Sequence, residues 1–254
     1  MNKILLTLYK RISRHSSVKF FFKNFISIVR QYLNVQDFTY FEKRIFSGDY
    51  HVGTPNLVVD CGAYVGDEIK KFQRLGNAEI VAIEPQPDCF EELVRKFSKD
   101  KRITLHNCAL GDHVGAAKLY VNSNKQTSSL KAVASVDESW SEHFFNKTRI
   151  DVKLRTLDDL LKPSDDARIH LKLDVQGSEL DILHGAHKLL DKKVISIMTE
   201  CHFSQVYLGQ PTFDQLYKLL HSFDFMLLGT FNPIYNSNGT LMQLDILWLK
   251  NIGS

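Results

Sequence analysis

Short apolar runs alternate with amphipathic stretches along residues 57–250 of this chain. The runs of strand length are NLVVDCG, AEIVAIEP, RITLHNCALG, RIHLKLDVQG, VISIMTECH, FMLLGTF and LMQLDILWLK. Stretches between them, such as PDCFEELVRKFSKD, place apolar side chains three and four residues apart, which is the spacing of one helix face. Strands that alternate with helices predict an α/β fold with a doubly wound, mainly parallel, seven-stranded sheet.

Three segments depart from this alternation. The last two runs are joined by NPIYNSNGT, which is polar and turn-rich, so the last strand is predicted to be antiparallel. The segments GAAKLYVN and RIDVKLRT predict an added antiparallel pair of strands. Residues 123–149 are polar and weakly periodic, and they predict a long surface excursion or lid.

The first part of the chain differs in charge from the rest. Residues 1–36 contain seven lysines and arginines and no acid, whereas the remainder has 25 basic and 29 acidic residues. We interpret residues 1–50 as a basic, helical N-terminal extension and residues 51–254 as the main domain. Two roles stay open for residues 1–36: helices that cap the domain, or a helix in peripheral contact with an anionic membrane surface.

Composition narrows the class of protein. No apolar stretch reaches the length of a membrane span. The four cysteines form no CxxC pair and are typical of reduced thiols in a cytosolic protein. The main domain is slightly acidic and has no basic stripe, which argues against a nucleic-acid partner. The predicted location is cytoplasmic, with peripheral membrane attachment as the alternative.

The stretch LVVDCGAYVGDE is the first candidate site. An apolar strand ends in Asp60, and a turn with Gly62, Ala63, Tyr64 and Gly66 follows. Tyr64 stands where a dinucleotide fingerprint needs its middle glycine, and no phosphate-binding GKS or GKT is present. The turn therefore predicts a ligand without a phosphate cradle, with the acid attracting an ammonium or a hydroxyl group.

The next two strands extend this site. Glu84 ends the second strand, where an acid can accept both ribose hydroxyls of a nucleoside. Asn107, Cys108 and Ala109 end the third strand and leave room for an adenine ring. Together these residues predict a nucleoside that carries an amino acid instead of a phosphate, and S-adenosylmethionine fits that description.

The fourth and fifth strands supply the candidate catalytic residues. Asp174 ends the fourth strand, beneath the expected position of a reactive methyl group. Glu200 and His202 end the fifth strand and share one side by strand alternation. Two carboxylates and an imidazole are suited to general-base catalysis or to a divalent metal such as Mg²⁺, and both interpretations stay open.

Seven blocks in order resemble the FkbM-type methyltransferases. They are VVDCGAYVGDE, AIEPQPDCFEEL, NCALGD, LYVN followed by SSL, VKLRTLDDLL, LKLDVQGSELDILHGA and TECHFSQVYLGQPTFDQLYKLL, within residues 55–250. The resemblance implies a Rossmann-like class I methyltransferase sheet, S-adenosylmethionine as cofactor, and O-methylation, often of a sugar hydroxyl in glycans.

The resemblance also assigns roles to individual positions. Asp60, Gly62 and Gly66 match the cofactor loop, Glu84 the ribose-binding acid, and Asp174 and Glu200 the acids of the fourth and fifth blocks. Tyr64 departs from the family, which often has a small or amide residue there.

The expected function is methyl transfer from S-adenosylmethionine to a hydroxyl of a sugar, glycan or other small-molecule acceptor. Residues 1–50 are expected to lie outside the cofactor site. One alternative is a catalytically silent methyltransferase-like binding domain. The other is an NAD-dependent oxidoreductase, against which Tyr64 argues.

Overall fold

The computed structural model describes residues 38–134 and 146–251 of the 254-residue chain. The chain divides into two units, Met1–Phe41 and Glu42–Ser254, and the fold reported below is that of the second unit. The predicted helices of residues 1–37 and the middle of the predicted surface excursion lie outside the described residues.

The strands form one large and one small sheet. They are β1 (Leu57–Cys61), β2 (Glu79–Ile83), β3 (Ile103–His106), β4 (Ala109–Leu110), β5 (Gly115–Asn122), β6 (Asn146–Arg155), β7 (Ile169–Leu173), β8 (Val194–His202), β9 (Phe225–Tyr235) and β10 (Leu241–Lys250). The large sheet has seven strands in the order β3-β2-β1-β7-β8-β10-β9. Strand β10 is antiparallel to β8 and to β9, and the other neighbouring pairs are parallel. The predicted sheet and its antiparallel last strand are thus confirmed.

The small sheet has the order β4-β6-β5, and β5 and β6 form the predicted antiparallel pair. The run RITLHNCALG, predicted as one strand, is divided between the two sheets. The side-chain amide of Asn107 donates to the backbone carbonyl of Glu84 over 2.8 Å, at the point where the chain leaves the large sheet. Strand β4 then pairs with β6.

The first helix lies in the predicted N-terminal extension, and the others occupy the predicted connections between strands. The helices are α1 (Phe38–Ser47), α2 (Asp67–Leu75), α3 (Pro87–Phe97), α4 (Leu157–Leu160), α5 (Glu179–His184), α6 (His187–Lys192) and α7 (Phe213–Ser222). Helix α2 buries Ile69 and Phe72, and helix α3 begins at a proline, which has no N–H to leave unpaired in the first turn. The amphipathic patterns therefore predict these helices because one face of each is apolar.

The segment SELDILHGAHKLL, predicted as one helix, forms two helices. They are separated at Gly185, where a β-carbon would lie 2.1 Å from the backbone oxygen of Gly111. Another segment of backbone therefore packs against the chain at this point, and only glycine fits. That contact is distant in sequence, which is why the helical pattern alone did not predict the break.

The two faces of the large sheet differ in polarity. One face packs apolar residues such as Val59 and Leu171 against α5, α6 and α7. The opposite face carries buried polar side chains, including Asp60, His170 and Lys172. Parallel strands are covered on both faces, so these polar groups find partners in the interior: Lys172 pairs with Asp60, and His170 with the hydroxyl of Ser196. No helix among residues 38–134 and 146–251 is long and apolar enough to cross a membrane.

Candidate functional site

A cavity of about 360 Å³ lies at the carboxyl ends of the parallel strands. Of the residues predicted from the sequence, Gly62, Tyr64, Glu84, Cys108, Ala109, Asp174 and Glu200 line this cavity, whereas Asp60, Ala63, Gly66, Asn107 and His202 do not. Ligands of doubly wound sheets bind at this edge, because there the strand ends and the helix-entry turns converge.

The turn after β1 requires glycine at Gly62. Its φ angle is 81°, and a β-carbon there would lie 2.0 Å from the backbone oxygen of Asp174. The backbone N–H groups of Gly62 and Ala63 both donate to the carbonyl of Ile83, over 3.0 and 3.1 Å. The end of β1 is therefore held against β2 and β7, and no side chain separates them at the cavity floor.

The other residues of this turn have different roles. Tyr64 lines the cavity and has a left-handed φ of 48°. Ala63 is buried, and a β-carbon at Gly66 would lie 2.2 Å from the ring of Phe97. Gly66 therefore allows helix α3 to pack closely against the start of helix α2.

Glu84 is the buried acid at the tip of β2. Its carboxylate accepts backbone N–H groups from Tyr64 over 2.8 Å and from Gln86 over 2.9 Å. Burial raises the pKa of Glu84 to about 7, although both of these hydrogen bonds lower it. A carboxylate oxygen can accept more than one hydrogen bond, so Glu84 has acceptor capacity left for a ligand in the cavity.

The residues after β3 form an apolar part of the wall. Cys108, Ala109 and Leu110 line the cavity together with Ile83 and Leu119. This part of the wall is therefore apolar, and the binding of an adenine ring here stays a prediction from the sequence.

Asp60 lies behind the turn rather than on the cavity wall. Its Oδ1 is 3.1 Å from the ammonium of Lys172, and no described residue donates a well-aligned hydrogen bond to either of its carboxylate oxygens. Burial raises the pKa of Asp60, and the charge of Lys172 opposes that rise. The expectation that Asp60 lines the ligand site does not match this position, because its side chain points to the buried polar face of the sheet.

Asp174 and Glu200 meet at the cavity through one amide. The Nε2 of Gln176 donates to Oδ1 of Asp174 over 2.9 Å and to Oε2 of Glu200 over 3.0 Å. A second amide, from Gln243, donates to the other oxygen of Glu200 over 2.7 Å. Burial and the neighbouring Asp174 raise the pKa of Glu200 well above its ordinary value. The structure thus brings together the two acids that the sequence places on separate strands.

Gln176 and Tyr207 belong to this site and were not predicted. Gln176 has a φ of 55°, and its Oε1 lies 2.8 Å from the hydroxyl of Tyr207. Gln176 could have been predicted, because it is a polar residue between Asp174 and Gly177 at the end of an apolar strand. No sequence pattern indicates Tyr207, because its contact with Gln176 joins two loops.

His202 lies beside Glu200 but not on the cavity wall. Its Nε2 is 3.5 Å from Oε2 of Glu200, and its ring meets that of Tyr207 edge to face. Burial lowers the pKa of His202 to about 4, so the imidazole is neutral at pH 7. Glu200 and His202 are adjacent, as predicted, but of the two only Glu200 lines the cavity.

The predicted Mg²⁺ site of Asp174, Glu200 and His202 is not supported. Among the residues described, no group of three or more His, Cys, Asp or Glu side chains is arranged to hold a metal ion. The amide of Gln176 lies between the two carboxylates, where a cation would have to lie, and the imidazole nitrogen faces Glu200.

The start of the predicted surface excursion forms a strap, Asn124–Leu130, over the cavity. All seven of its residues line the cavity. Lys125 pairs with Asp88, and the hydroxyl of Ser128 donates to the side chain of Gln86 over 3.1 Å. The hydroxyl of Ser129 donates to the backbone oxygen of Gln176 over 2.6 Å. The strap is therefore tied to elements on both sides of the site.

The sheet order, the glycine turn after β1 and the acid at the tip of β2 define a class I methyltransferase fold. A family model described as the methyltransferase FkbM domain matches residues 60–227. The chain belongs to this family of methyltransferases. The family supports the methyltransferase interpretation over the oxidoreductase alternative.

One curated relative is the methyltransferase sdnD of Sordaria araneosa, which is 28% identical over 154 residues. The match covers 51% of this chain and 60% of the relative, so the chain spans about three fifths of that protein.

Two solved structures are similar to this chain at low identity. The 1,6-didemethyltoxoflavin-N1-methyltransferase of Burkholderia thailandensis, with S-adenosylhomocysteine bound, is 13% identical with a TM-score of 0.42, and the match covers 90% of this chain and 86% of that one. A TehB-like methyltransferase of Corynebacterium glutamicum is 10% identical with a TM-score of 0.41, and the match covers 90% and 97%.

Proposed function

We propose that this protein binds S-adenosylmethionine in the cavity and transfers its methyl group to a hydroxyl of a neutral sugar or glycan. The observation that carries the proposal is that the Gly62 turn and the acids Glu84, Asp174 and Glu200, from four different strands, line one cavity. The volume lies within the range of about 300–1,000 Å³ that small-molecule sites occupy.

The lining residues suit the parts of this cofactor. Glu84 offers carboxylate oxygens to the ribose hydroxyls, and the surface at Cys108 and Ala109 accommodates the adenine ring. The acids favour the positively charged amino group and sulfonium. When bound, the cofactor supplies an electrophilic methyl group.

Asp174 is the residue we assign to the acceptor hydroxyl. An alcohol is a poor nucleophile at neutral pH and needs a group that takes its proton. The carboxylate of Asp174 lines the cavity with 44% of its side chain exposed, and one oxygen is already oriented by Gln176. Glu200 is linked to Asp174 through the amide of Gln176, and the imidazole of His202 contacts Glu200 instead of the cavity.

The charge of the wall favours a neutral acceptor. Glu84, Asp174 and Glu200 face the cavity. Among the lining residues that the structure describes, the one lysine or arginine is Lys125, which pairs with Asp88. An acceptor bearing a phosphate or carboxylate would be repelled by the carboxylate of Asp174 and by the ionised form of Glu84, whose pKa is about 7. The amides of Gln176 and Gln243 offer hydrogen bonds to hydroxyl groups.

The test combines binding and turnover. Isothermal calorimetry is expected to show S-adenosylhomocysteine binding to the full-length protein. Mass spectrometry with isotopically labelled S-adenosylmethionine should then show a methyl gain on neutral sugars or glycans, and less on matched uronic acids or sugar phosphates. Binding with no transfer to any acceptor would instead support the silent binding domain, and absence of binding would contradict both. Transfer only to anionic acceptors would contradict the charge argument.

A further inference from the structure

Lys172 is the only buried lysine or arginine among residues 38–134 and 146–251. It lies on β7, two residues before Asp174, so both side chains belong to the same face of the strand. Its ammonium is 3.1 Å from Oδ1 of Asp60 and 3.6 Å from Oδ2 of Asp174. One buried cation thus links the carboxylates at the ends of two neighbouring strands.

The surroundings of Lys172 keep its ammonium charged. Burial by itself would lower the pKa of Lys172, but the negative charges of Asp60, Asp174 and Glu68 outweigh burial and raise the pKa above its ordinary value. The same ammonium stabilises the ionised form of Glu200 and of Asp245. The ammonium of Lys172 therefore acts electrostatically on Asp174 and Glu200, two acids that line the cavity.

The carboxylate of Asp174 is held from two sides. Gln176 donates to Oδ1 over 2.9 Å, and the ammonium of Lys172 lies near Oδ2. A carboxylate oxygen has more than one acceptor direction, so the other lone pairs are left for a ligand in the cavity. Without Lys172, the amide of Gln176 would be the one oriented partner of Asp174 within residues 38–134 and 146–251.

We propose that Lys172 is a positioning residue, whose ammonium fixes the Asp174 carboxylate towards the positively charged end of the bound cofactor. This inference rests on the proposed function. The cofactor itself provides a specific readout, because S-adenosylmethionine carries a sulfonium charge that S-adenosylhomocysteine lacks. An oriented Asp174 should favour the charged ligand over the neutral one.

The central variant is D60N/K172M, which removes the buried pair without changing net charge. It is expected to fold, because no buried charge is left without a partner. Calorimetry should show that its preference for S-adenosylmethionine over S-adenosylhomocysteine falls about ten-fold, as expected for losing a charge-assisted contact. In the D174N background the same double substitution should change the preference no further.

The matched control is the pair formed by Glu42 and Lys71. Glu42 is buried, and its Oε2 is 2.9 Å from the ammonium of Lys71, but neither residue lines the cavity. The variant E42Q/K71M also removes a carboxylate and a lysine without changing net charge, and its ligand preference is expected to equal that of the wild type.

A second variant, K172R, keeps the positive charge and is expected to retain the preference within about three-fold. It also provides the test if D60N/K172M does not fold. If K172R lowers the preference of the wild type and lowers that of D174N by the same factor, Lys172 does not act through Asp174 and the inference is contradicted. An unchanged preference in folded D60N/K172M would contradict it as well. Wild-type protein that binds neither ligand would overturn the proposed function and this inference with it.

Discussion

Glu84 connects the backbone of the turn after β1 with the cavity wall. Its carboxylate accepts two backbone N–H groups and is 7% exposed, on the side that lines the cavity. Losing a hydrogen bond to a charged group costs roughly 1.5–3 kcal/mol. We expect E84Q to bind S-adenosylhomocysteine about ten-fold more weakly or worse at pH 8.

The pH dependence of S-adenosylhomocysteine affinity is a second test of the role of Glu84. Because the pKa of Glu84 is about 7, wild-type affinity should decline as the pH falls through 7, and this decline should be missing in E84Q. Calorimetry from pH 6 to 8 measures both effects. Glu79, exposed at the opposite end of β2, is the control, and E79Q should bind like the wild type. Equal affinity of E84Q and wild type would remove Glu84 from the site.

Glu179, at the start of α5, makes the stability of the protein depend on pH because its carboxyl group is buried. The carboxylate accepts the backbone N–H groups of Gly177 over 3.1 Å and of Val175 over 3.4 Å, and burial raises its pKa to about 7. A carboxyl group whose pKa is raised by folding contributes stability below its unfolded value near 4.5, and this contribution is lost as the pH rises through 7.

Relative to the wild type, the variant E179Q should therefore gain stability as the pH is raised from 5 to 8. The expected gain is on the order of 2–3 kcal/mol, because each pKa unit is worth about 1.4 kcal/mol. Urea unfolding of both proteins at the two pH values measures it. E91Q, at an exposed position of α3, controls for the change in net charge. A difference in stability that is the same at both pH values would contradict the prediction.

At the scale of elements, the site depends on how closely β1 and β7 approach each other. Gly62 and Gly209 both have a positive φ, of 81° and 69°, but only a β-carbon at Gly62 would meet backbone, 2.0 Å from the oxygen of Asp174. At Gly209 no atom lies within 4 Å of that position. Alanine at either glycine adds the strain of a left-handed backbone, about 1 kcal/mol.

We therefore expect G62A to destabilise the protein by at least 2 kcal/mol more than G209A, on the order expected for overpacking. The floor of the cavity would be displaced as well, so S-adenosylhomocysteine affinity should fall in G62A only. Urea unfolding and calorimetry on the two variants test this. Similar stabilities would show that the strand ends can move apart at little cost.

At the scale of the whole molecule, the charge is divided between two parts of the chain. Residues 1–36 hold seven basic and no acidic residues, and the remainder is net acidic. We propose that residues 1–36 attract the protein to anionic lipid. The expected result is co-flotation of the full chain with phosphatidylserine vesicles at low salt, and loss of it at ~0.5 M salt, where screening is strong.

Vesicles of phosphatidylcholine alone are the control for apolar attachment. Binding to neither type of vesicle at low salt would contradict the membrane proposal and leave the capping helices as the role of residues 1–36.

The site could be predicted only in part. The acids Glu84, Asp174 and Glu200 were found because strand ends in a doubly wound sheet converge at one edge. Asp60 also lies at the end of a parallel strand, but its side chain points to the buried polar face of the sheet. Its partner Lys172 lies there, in direct register on the neighbouring strand. A single carboxylate does not reveal which buried cation it pairs with.

The sequence by itself determined the large sheet, its antiparallel last strand and most helix positions, because alternation and apolar spacing are local properties of the chain. Tertiary structure alone decided the break at Gly185, the division of the third strand, and the amide of Gln176 between Asp174 and Glu200. Each of these depends on a contact between segments far apart in sequence. Periodicity carries no information on such contacts, because backbone approach and hydrogen-bond partners are fixed only when the elements pack together.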